Sequence, residues 1–336
     1  MSRNVVDFAR RIRRSEGFKS LVATPGRLAI RAQQRLNHGV FSIEIREISG
    51  FFSVLQMVLF VLMYCDEKHL FPDISARGKI YGDPSGRTDW FGALFEPVGR
   101  GAAPSPARKV RTSKVADLVH LGFRKRYERR LTIDDANRLF LSYYRPSASV
   151  TEEVDALCRS LDIGATTLGV HFRGTDKKLE AVPVSWQDFC ALVASVLREN
   201  PQLTNVFVSS DEAAFIDYFT AQPFGVPVHV APARHLASGG LPVHFSGHPG
   251  LAIAREALVA CLLLSRCGYL VKTPSYLSGW SKIFNPALPV RLASPPRPDA
   301  FWFPDSQLWT ESASAAAAQA PAAGEDAFAN ASPNGA

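Results

Sequence analysis

The sequence predicts an α/β protein whose strands form parallel sheets covered by helices. Apolar residues make up 46% of the chain and charged residues 21%, which is the composition of a globular protein. From about residue 165 onward, short apolar runs typical of buried strands alternate with segments of helical period. A strand–turn–helix–strand order is also visible near residues 43–74. Because parallel strands require helical crossovers, both patterns predict parallel sheets.

In the first half, the alternation over Ile43–Ile45 predicts a strand, and a turn at Gly50 precedes a long apolar helix through Met63. Leu70–Ile74 is the next predicted strand and completes a βαβ unit. Residues 98–114 are rich in Gly, Ala, Pro, Ser and basic residues, which predicts a surface loop. A charged helical region follows, with Arg124, Lys125, Arg126, Arg129 and Arg130.

The second half predicts a regular alternation of strands and helices. The predicted strands are Thr167–Phe172, Val206–Ser210, Val226–Val230 and Tyr269–Lys272. The predicted helices are Ser185–Glu199, Glu212–Phe219, Ala252–Cys267 and Leu277–Phe284. The same patterns divide the chain into a basic, partly flexible leader (1–42), an N-terminal α/β domain (43–160), a C-terminal Rossmann-like domain (161–310) and a disordered tail (311–336).

The composition of the chain indicates which kinds of partner it could bind and in which compartment it could be found. The formal charge of +7 and the pI near 9.3 favour anionic partners (phosphates, nucleic acid or an acidic membrane surface) without choosing among them. The five cysteines form no Cys-x-x-Cys pair, which favours free thiols in a reducing compartment over a zinc site. The apolar run Phe51–Cys65 is shorter than the roughly 20 residues that span a bilayer. We therefore expect a cytoplasmic protein, and the arginines of residues 1–35 leave peripheral membrane contact open as an alternative.

Polar side chains follow three of the predicted strands. His171, Arg173, Thr175, Asp176 and Lys177 follow the first, Ser209 to Glu212 end the second, and Lys272 to Ser275 end the last. Ligands of open α/β sheets bind at the carboxyl ends of the strands, so this convergence predicts a binding site.

Arg173 is the strongest candidate for an anion-binding residue. Its guanidinium offers a planar fork of donors that matches two phosphate oxygens. His171 lies two residues earlier and should point to the same side of the strand. Thr273 or Ser275 could cap the helix that follows, whose first N–H groups attract phosphate, although a plain helix cap is the alternative. Asp211 could accept hydrogen bonds from ribose or sugar hydroxyls.

The stretch Leu168 to Lys177 resembles the His-x-Arg-x-x-Asp-Lys motif of the α1,6-fucosyltransferases, a group that includes rhizobial nodulation and core-fucosylating enzymes. The resemblance extends through Val206–Glu212 and Leu264–Leu277, and weakly to Gly50–Ser53. It implies a GT-B-like fold with two Rossmann-like domains and a cleft between them, residues 43–160 on the acceptor side and 161–310 binding the nucleotide-sugar. It also implies GDP-fucose as donor, inversion at the anomeric carbon and no metal or other cofactor.

Site roles follow from the same resemblance. Arg173 would bind the β-phosphate, His171 would shape that pocket, and Asp176 and Lys177 would support it. Asp211 would face the nucleoside and Ser275 a phosphate. Thr273 and Gly50 complete the predicted donor site, and for Gly50 the alternative is a simple turn. Inverting transfer to a hydroxyl benefits from a carboxylate general base; Asp176 and Glu180 are candidates, and the base stays unassigned. The acceptor would be a glycan, a lipo-oligosaccharide or another hydroxyl compound.

Two departures from the family pattern support an alternative function. Gly174 stands where many relatives have a second Arg, and Ala260 where an Asp is expected. A catalytically degenerate nucleotide- or glycan-binding protein of the same fold is therefore the second hypothesis. A basic nucleic-acid-binding protein is a third and weaker hypothesis, because aromatic residues are not interleaved with the basic ones.

Two further groups of residues have no assigned role. Trp90, with its aromatic neighbours, predicts either a sugar platform or part of a hydrophobic core. His235, His244 and His248 lie in a Gly/Pro-rich loop without metal-ligand spacing, which either closes over the donor or is a solvated connection.

Overall fold

The structure is a computed structural model that describes residues 28, 32, 39–46, 49–98, 110–112, 127, 130–173, 181–231, 249–296 and 303–310. The predictions for the basic leader, for the histidine loop and for the C-terminal tail therefore fall on residues outside this set, apart from residues 28, 32 and 39–42. Most of the charged segment around residues 124–130 also lies outside it.

The first sheet has three parallel strands. The elements of this part of the chain are β1 (Val40–Arg46), α1 (Phe51–Glu67), β2 (Phe71–Arg77), α2 (Trp90–Leu94), β3 (Phe95–Pro97) and β4 (Val110–Thr112), of which β3 lies outside this sheet. The order β2-β1-β4 confirms the predicted βαβ unit, since β1 pairs in parallel with β2. The prediction of a surface loop over 98–114 is wrong at 110–112, where pairing with β1 forms a short strand.

A helical connection that the sequence pattern did not predict joins the two sheets. It contains α3 (Ile133–Tyr143), β5 (Tyr144–Pro146) and α4 (Ala148–Ser160), and β5 pairs with β3 as an antiparallel ribbon. Thr132 begins α3 as a side-chain cap, because its hydroxyl accepts the Asp135 N–H. The last two turns of α4 bring Glu153, Leu157 and Ser160 to the edge of the cleft described below.

The second sheet has five parallel strands in the order β10-β9-β6-β7-β8. Its elements are β6 (Thr167–Phe172), α5 (Trp186–Glu199), β7 (Asn205–Ser210), α6 (Ala213–Thr220), β8 (Val228–Val230), α7 (Gly250–Arg266), β9 (Tyr269–Lys272), α8 (Tyr276–Phe284) and β10 (Val290–Leu292). β6 and β9 have the predicted bounds, and the other elements predicted for this half of the chain differ by one or two residues at one or both ends. Among the described elements of this second sheet and its helices, β10 alone was not predicted.

Each face of the second sheet packs against a different set of helices. Val170 and Val208 face α5 and α6 in a cluster that contains Phe189 and Phe215. The opposite face carries Phe207 and joins a larger cluster with α7, α8 and the buried face of α1; this cluster includes residues from Phe41 to Leu308. One hydrophobic core therefore runs from the first sheet to the second, across the boundary predicted near residue 160.

The aromatic residues near Trp90 belong to this core. Trp90 is fully buried, and its ring lies 5.2 Å from that of Phe51 and 5.7 Å from that of Tyr81. The core interpretation of Trp90 is confirmed, and the sugar-platform interpretation is wrong because the ring has no exposed face. The five cysteines are free thiols. Within the described ranges, no helix combines the length and apolar character that a membrane crossing requires.

Candidate functional site

A cleft of about 970 Å³ lies between the two sheets. Its first wall is the start of α1, its second is one side of α7, and its floor is formed by the carboxyl ends of β6 and β7. This volume is at the upper end of the range of small-molecule sites, roughly 300–1,000 Å³. The described polar residues at the ends of β6 and β7 are therefore placed where a ligand of the size of a nucleotide-sugar fits.

His171 and Arg173 both line the cleft, as their spacing predicted. Arg173 Nε lies 3.7 Å from Asp211 Oδ2, which follows the neighbouring strand β7. The two side chains are 22% and 16% exposed, so the pair is desolvated more than a surface ion pair and still accessible to a ligand. β6 and β7 run side by side with His171 opposite Ser209, which explains why residues 38 positions apart in sequence meet here.

His171 is a neutral side chain at the floor of the cleft. Burial, together with the positive charges of Lys272 and Arg173, lowers the pKa of His171 well below its ordinary value of 6.5. The side chain is 3% exposed, and no described residue offers Nδ1 a hydrogen-bond partner. An unpaired buried polar atom costs about 1–3 kcal/mol, so the position of His171 is unfavourable for stability.

Thr273 supports the site from behind. Its Oγ1 accepts the Arg173 N–H at 2.9 Å, and its own N–H donates to the His171 carbonyl at 3.1 Å. Thr273 is 6% exposed, and the cleft wall in this region is formed by Tyr276 and Leu277 instead. Thr273 therefore lies next to His171 and Arg173 of the predicted donor site, but its hydroxyl is hydrogen-bonded to the backbone of Arg173.

Ser275 is the N-cap residue of α8 and is fully buried. Its N–H donates to Asp305 Oδ2 at 2.7 Å. The backbone N–H of Ser275, the residue for which the resemblance implies a phosphate, is therefore bonded to a carboxylate of the same chain. Ser275 is not among the residues that line the described cleft, whereas Tyr276 and Leu277 are.

Gly50 lies at the opposite wall, as the N-cap residue of α1. Its φ of −58° is accessible to any residue, so the backbone conformation does not require glycine. The space that a Cβ would occupy at Gly50 is open, with no atom within 4 Å. The adjacent Phe51 N–H donates to the Tyr81 hydroxyl at 2.8 Å. This position permits close approach of a ligand to the start of α1.

Three predicted site residues, Asp176, Lys177 and Glu180, lie outside the described residues. Conversely, Ala260 of α7 was singled out from the sequence, but Arg255 and Glu256, which line the same wall of the cleft, were missed. Glu256 and Ala260 are four residues apart on a helix that was predicted, and this spacing places them on one face. Arg255 Nε contacts Glu153 Oε2 of α4 at 2.6 Å, which ties the wall to the helical connection.

No group of three or more His, Cys, Asp or Glu side chains is arranged to hold a metal ion among the residues that the structure describes. The charged groups that line the described cleft are two arginines and three carboxylates: Arg173, Arg255, Glu153, Asp211 and Glu256.

No protein-family model matches the sequence. Nodulation protein Z of Azorhizobium caulinodans is 29% identical over 161 residues, which are 45% of this chain and 48% of that protein. The chain thus matches about half the length of this curated relative.

Among solved structures, the fucosyltransferase NodZ from Bradyrhizobium aligns with a TM-score of 0.50 at 17% identity. The alignment covers 73% of this chain and 94% of that one. A NodZ α1,6-fucosyltransferase soaked with GDP-fucose aligns at a TM-score of 0.48 and 18% identity, over 73% and 93% of the two chains. The sequence match confirms the resemblance to the fucosyltransferase superfamily, and the Bradyrhizobium structure confirms the α/β, GT-B-like fold class.

Proposed function

We propose that this protein is an inverting, metal-independent glycosyltransferase that transfers a sugar, which we infer to be fucose, from a GDP-sugar to a hydroxyl acceptor. The observation that carries the proposal is the cluster of His171, Arg173 and Asp211 in one cleft, at the carboxyl ends of adjacent parallel strands. The sugar is inferred from the fucosyltransferases that the chain resembles.

The donor diphosphate is assigned to Arg173. The guanidinium is partly desolvated, so its attraction for a phosphate is stronger than that of an exposed arginine. Asp211 forms an ion pair with it on the Nε side, which favours this orientation of the guanidinium. His171 is neutral and therefore contributes a hydrogen bond, not a charge. Gly50, at the facing wall, leaves room for the pyrophosphate beside the start of α1.

The proposed reaction is a single displacement. A carboxylate base, Asp176 or Glu180, takes the proton of the acceptor hydroxyl while its oxygen attacks the anomeric carbon. The bond between that carbon and the phosphate oxygen breaks, and GDP leaves with the electron pair. Arg173 stabilises the negative charge that develops on the β-phosphate, which is the role a metal ion has in other glycosyltransferases. Lys177 is proposed to support the same charge.

The acceptor is proposed to be a glycan or lipo-oligosaccharide that enters the part of the cleft between α1 and α7. Apolar side chains predominate there, including Phe52, Ile253 and Leu263, with Glu153 and Arg255 at the edge. We propose a cytoplasmic location, with peripheral membrane contact through residues 1–35, and no nucleic-acid partner.

Calorimetric titration with GDP tests the donor assignment. Arg173→Ala should weaken GDP binding by about 10- to 100-fold, since a charge-assisted hydrogen bond contributes roughly 1.5–3 kcal/mol. Arg255→Ala is the matched control, because Arg255 lines the same cleft but pairs with Glu153, away from the strand ends. GDP affinity that is absent in the wild type, or equal in the two variants, would rule out the assignment.

A second candidate function is a nucleotide- or glycan-binding protein that has lost catalysis. Ala260 favours it, because this residue lines the cleft where the resemblance predicts an Asp. Incubation with GDP-fucose and detection of released GDP distinguish the two candidates. Turnover above background that is lost in Asp176→Asn or Glu180→Gln excludes the degenerate protein.

A further inference from the structure

We infer that Asp305 is a positioning residue for Arg173, and that the C-terminal strap, residues 303–310, is an integral part of the donor site. The predicted effect of Asp305 on GDP binding rests on the proposed function. Its predicted effect on the position of Arg173 does not depend on that function. Asp305 lies outside the cleft and does not touch the proposed ligand. It acts through the turn between β9 and α8.

The Asp305 carboxylate is buried, and each of its oxygens has a defined donor. Oδ1 accepts from Lys272 Nζ at 2.5 Å, and Oδ2 accepts the Ser275 N–H at 2.7 Å. Asp305 is 1% exposed and Lys272 is fully buried. The carboxylate thus fixes both ends of the four-residue turn from Lys272 to Ser275, and its charge is favourably placed at the N-terminus of α8.

The strap is held in place by close packing. Phe303 and Leu308 are buried in the large hydrophobic cluster that spans both sheets. A Cβ added at Gly279 of α8 would lie 2.9 Å from Pro304 Cδ and 3.2 Å from Asp305 Oδ1. Only a residue without a side chain permits this approach, so Gly279 sets the distance between the strap and α8.

The turn that Asp305 fixes is hydrogen-bonded to the backbone of β6 at Arg173, the residue proposed to bind the phosphate. Thr273, in the middle of the turn, accepts the Arg173 N–H through Oγ1 and donates its own N–H to the His171 carbonyl. The next residue after Arg173 lies outside the described part of the chain. These two hydrogen bonds therefore fix the last described residues of β6 to the end of β9. If the turn were displaced, Arg173 would move with it.

The ion pair with Lys272 does not by itself explain why a carboxylate is buried at this position. Buried ion pairs often contribute little net stability compared with apolar replacements of the same size. The second carboxylate oxygen, however, is bonded to the Ser275 N–H, a role resembling the acidic partner in a helix capping box. This hydrogen bond is the one through which we expect Asp305 to position the turn.

Two double variants separate the hydrogen bond from the ion pair. Lys272→Met with Asp305→Asn, and Lys272→Met with Asp305→Leu, both remove the two charges. Only the Asn variant keeps an oxygen that can accept the Ser275 N–H. Neither leaves an unpaired buried charge, which avoids the main cause of unfolding in the single variants. Hydrogen exchange of the peptide that contains Arg173 is measured by mass spectrometry, and GDP affinity by calorimetry.

In the Leu variant, the Arg173 amide should exchange at least about tenfold faster and GDP should bind roughly tenfold more weakly, as expected for the loss of one hydrogen bond. The Asn variant should remain near wild type in both measurements. Equal behaviour of the two variants, whether unchanged or equally impaired, would overturn the inference. If the wild type bound no GDP, the proposed function would fail while the exchange data would still decide the role of Asp305.

Gly279→Ala provides a second test that leaves all the polar groups in place. The added methyl group should push Pro304 and Asp305 away from α8 and accelerate exchange at Arg173 in the same way. Peptides from β1 serve as the internal reference, because that strand lies in the other sheet. Unchanged exchange at Arg173 in this variant would contradict the inference even if the Leu variant failed to fold.

Discussion

Replacement of Gly169 by alanine should destabilise the strand that carries the proposed donor site. Gly169 lies in β6, the central strand of the five-stranded sheet, two residues before His171. A Cβ at this position would lie 3.0 Å from Cys267 Sγ, 3.2 Å from Cys267 Cβ and 3.3 Å from Leu264 Cδ2. All three distances are shorter than an ordinary carbon contact of roughly 3.5–4.0 Å.

The size of the expected loss of stability depends on how far Cys267 and Leu264 can move away from the added methyl group. Cys267 is 3% exposed and Leu264 is fully buried, so neither can turn into solvent. Overpacking of a dense core costs about 1–3 kcal/mol, and three contacts short by a few tenths of an ångström place Gly169→Ala near 2 kcal/mol. Cys267→Ala alone should cost about 1 kcal/mol through the small cavity that it leaves.

Urea denaturation of the two single variants and the double variant tests this reasoning. Removal of Cys267 Sγ relieves the shortest contact, so the double variant should be about 1 kcal/mol more stable than the sum of the two single effects predicts. Additive free energies of unfolding, or a Gly169→Ala variant as stable as the wild type, would refute the packing argument.

Two other predictions concern the same strand end. His171→Gln should flatten the pH dependence of the free energy of unfolding below pH 6.5. In the wild type the folded state lowers the pKa of His171, so below pH 6.5 only the unfolded state binds this proton. The free energy of unfolding of the wild type therefore falls by up to about 1.4 kcal/mol for each pH unit that the pH decreases. Urea titrations at pH 7.5, 6 and 5 measure the slopes, and parallel curves for the two proteins would contradict the prediction. Thr273→Val should cost about 1–3 kcal/mol, since it leaves the Arg173 N–H without its acceptor, whereas Thr273→Ser should retain most of the stability. Comparable unfolding free energies for the Val and Ser variants would argue against it.

The second sheet was the most predictable part of the fold. Strands buried on both faces appear as short, continuous apolar runs, and β6 and β9 have this pattern between clear boundaries. Because parallel strands end at one edge of a sheet, the same pattern predicted that His171, Arg173 and Asp211 lie close together. The chemistry of this edge is therefore encoded locally, in the residues that follow each strand.

The remaining elements depend on contacts that are distant in sequence. β4 is three residues long and exists through its pairing with β1, more than 60 positions earlier. Only Val150 and Val154 of α4 are buried, so its apolar stripe is too narrow to stand out from the sequence. Asp305 meets Lys272 across 33 positions, and nothing in the local sequence of the strap indicates that a carboxylate there would reach α8.

The hydrophobic core that runs across both sheets has a consequence for how the protein can be divided. The apolar sides of α7 and α8 belong to the same buried cluster as residues of α1 and α3, and Trp280 of α8 contacts Phe52 and Phe140. A fragment that began near residue 161 would expose these surfaces to water at about 25 cal/mol for each Å². We expect such a fragment to aggregate and the intact chain to unfold in a single transition. For this protein, the part proposed to bind a nucleotide is smaller than the part that must fold together.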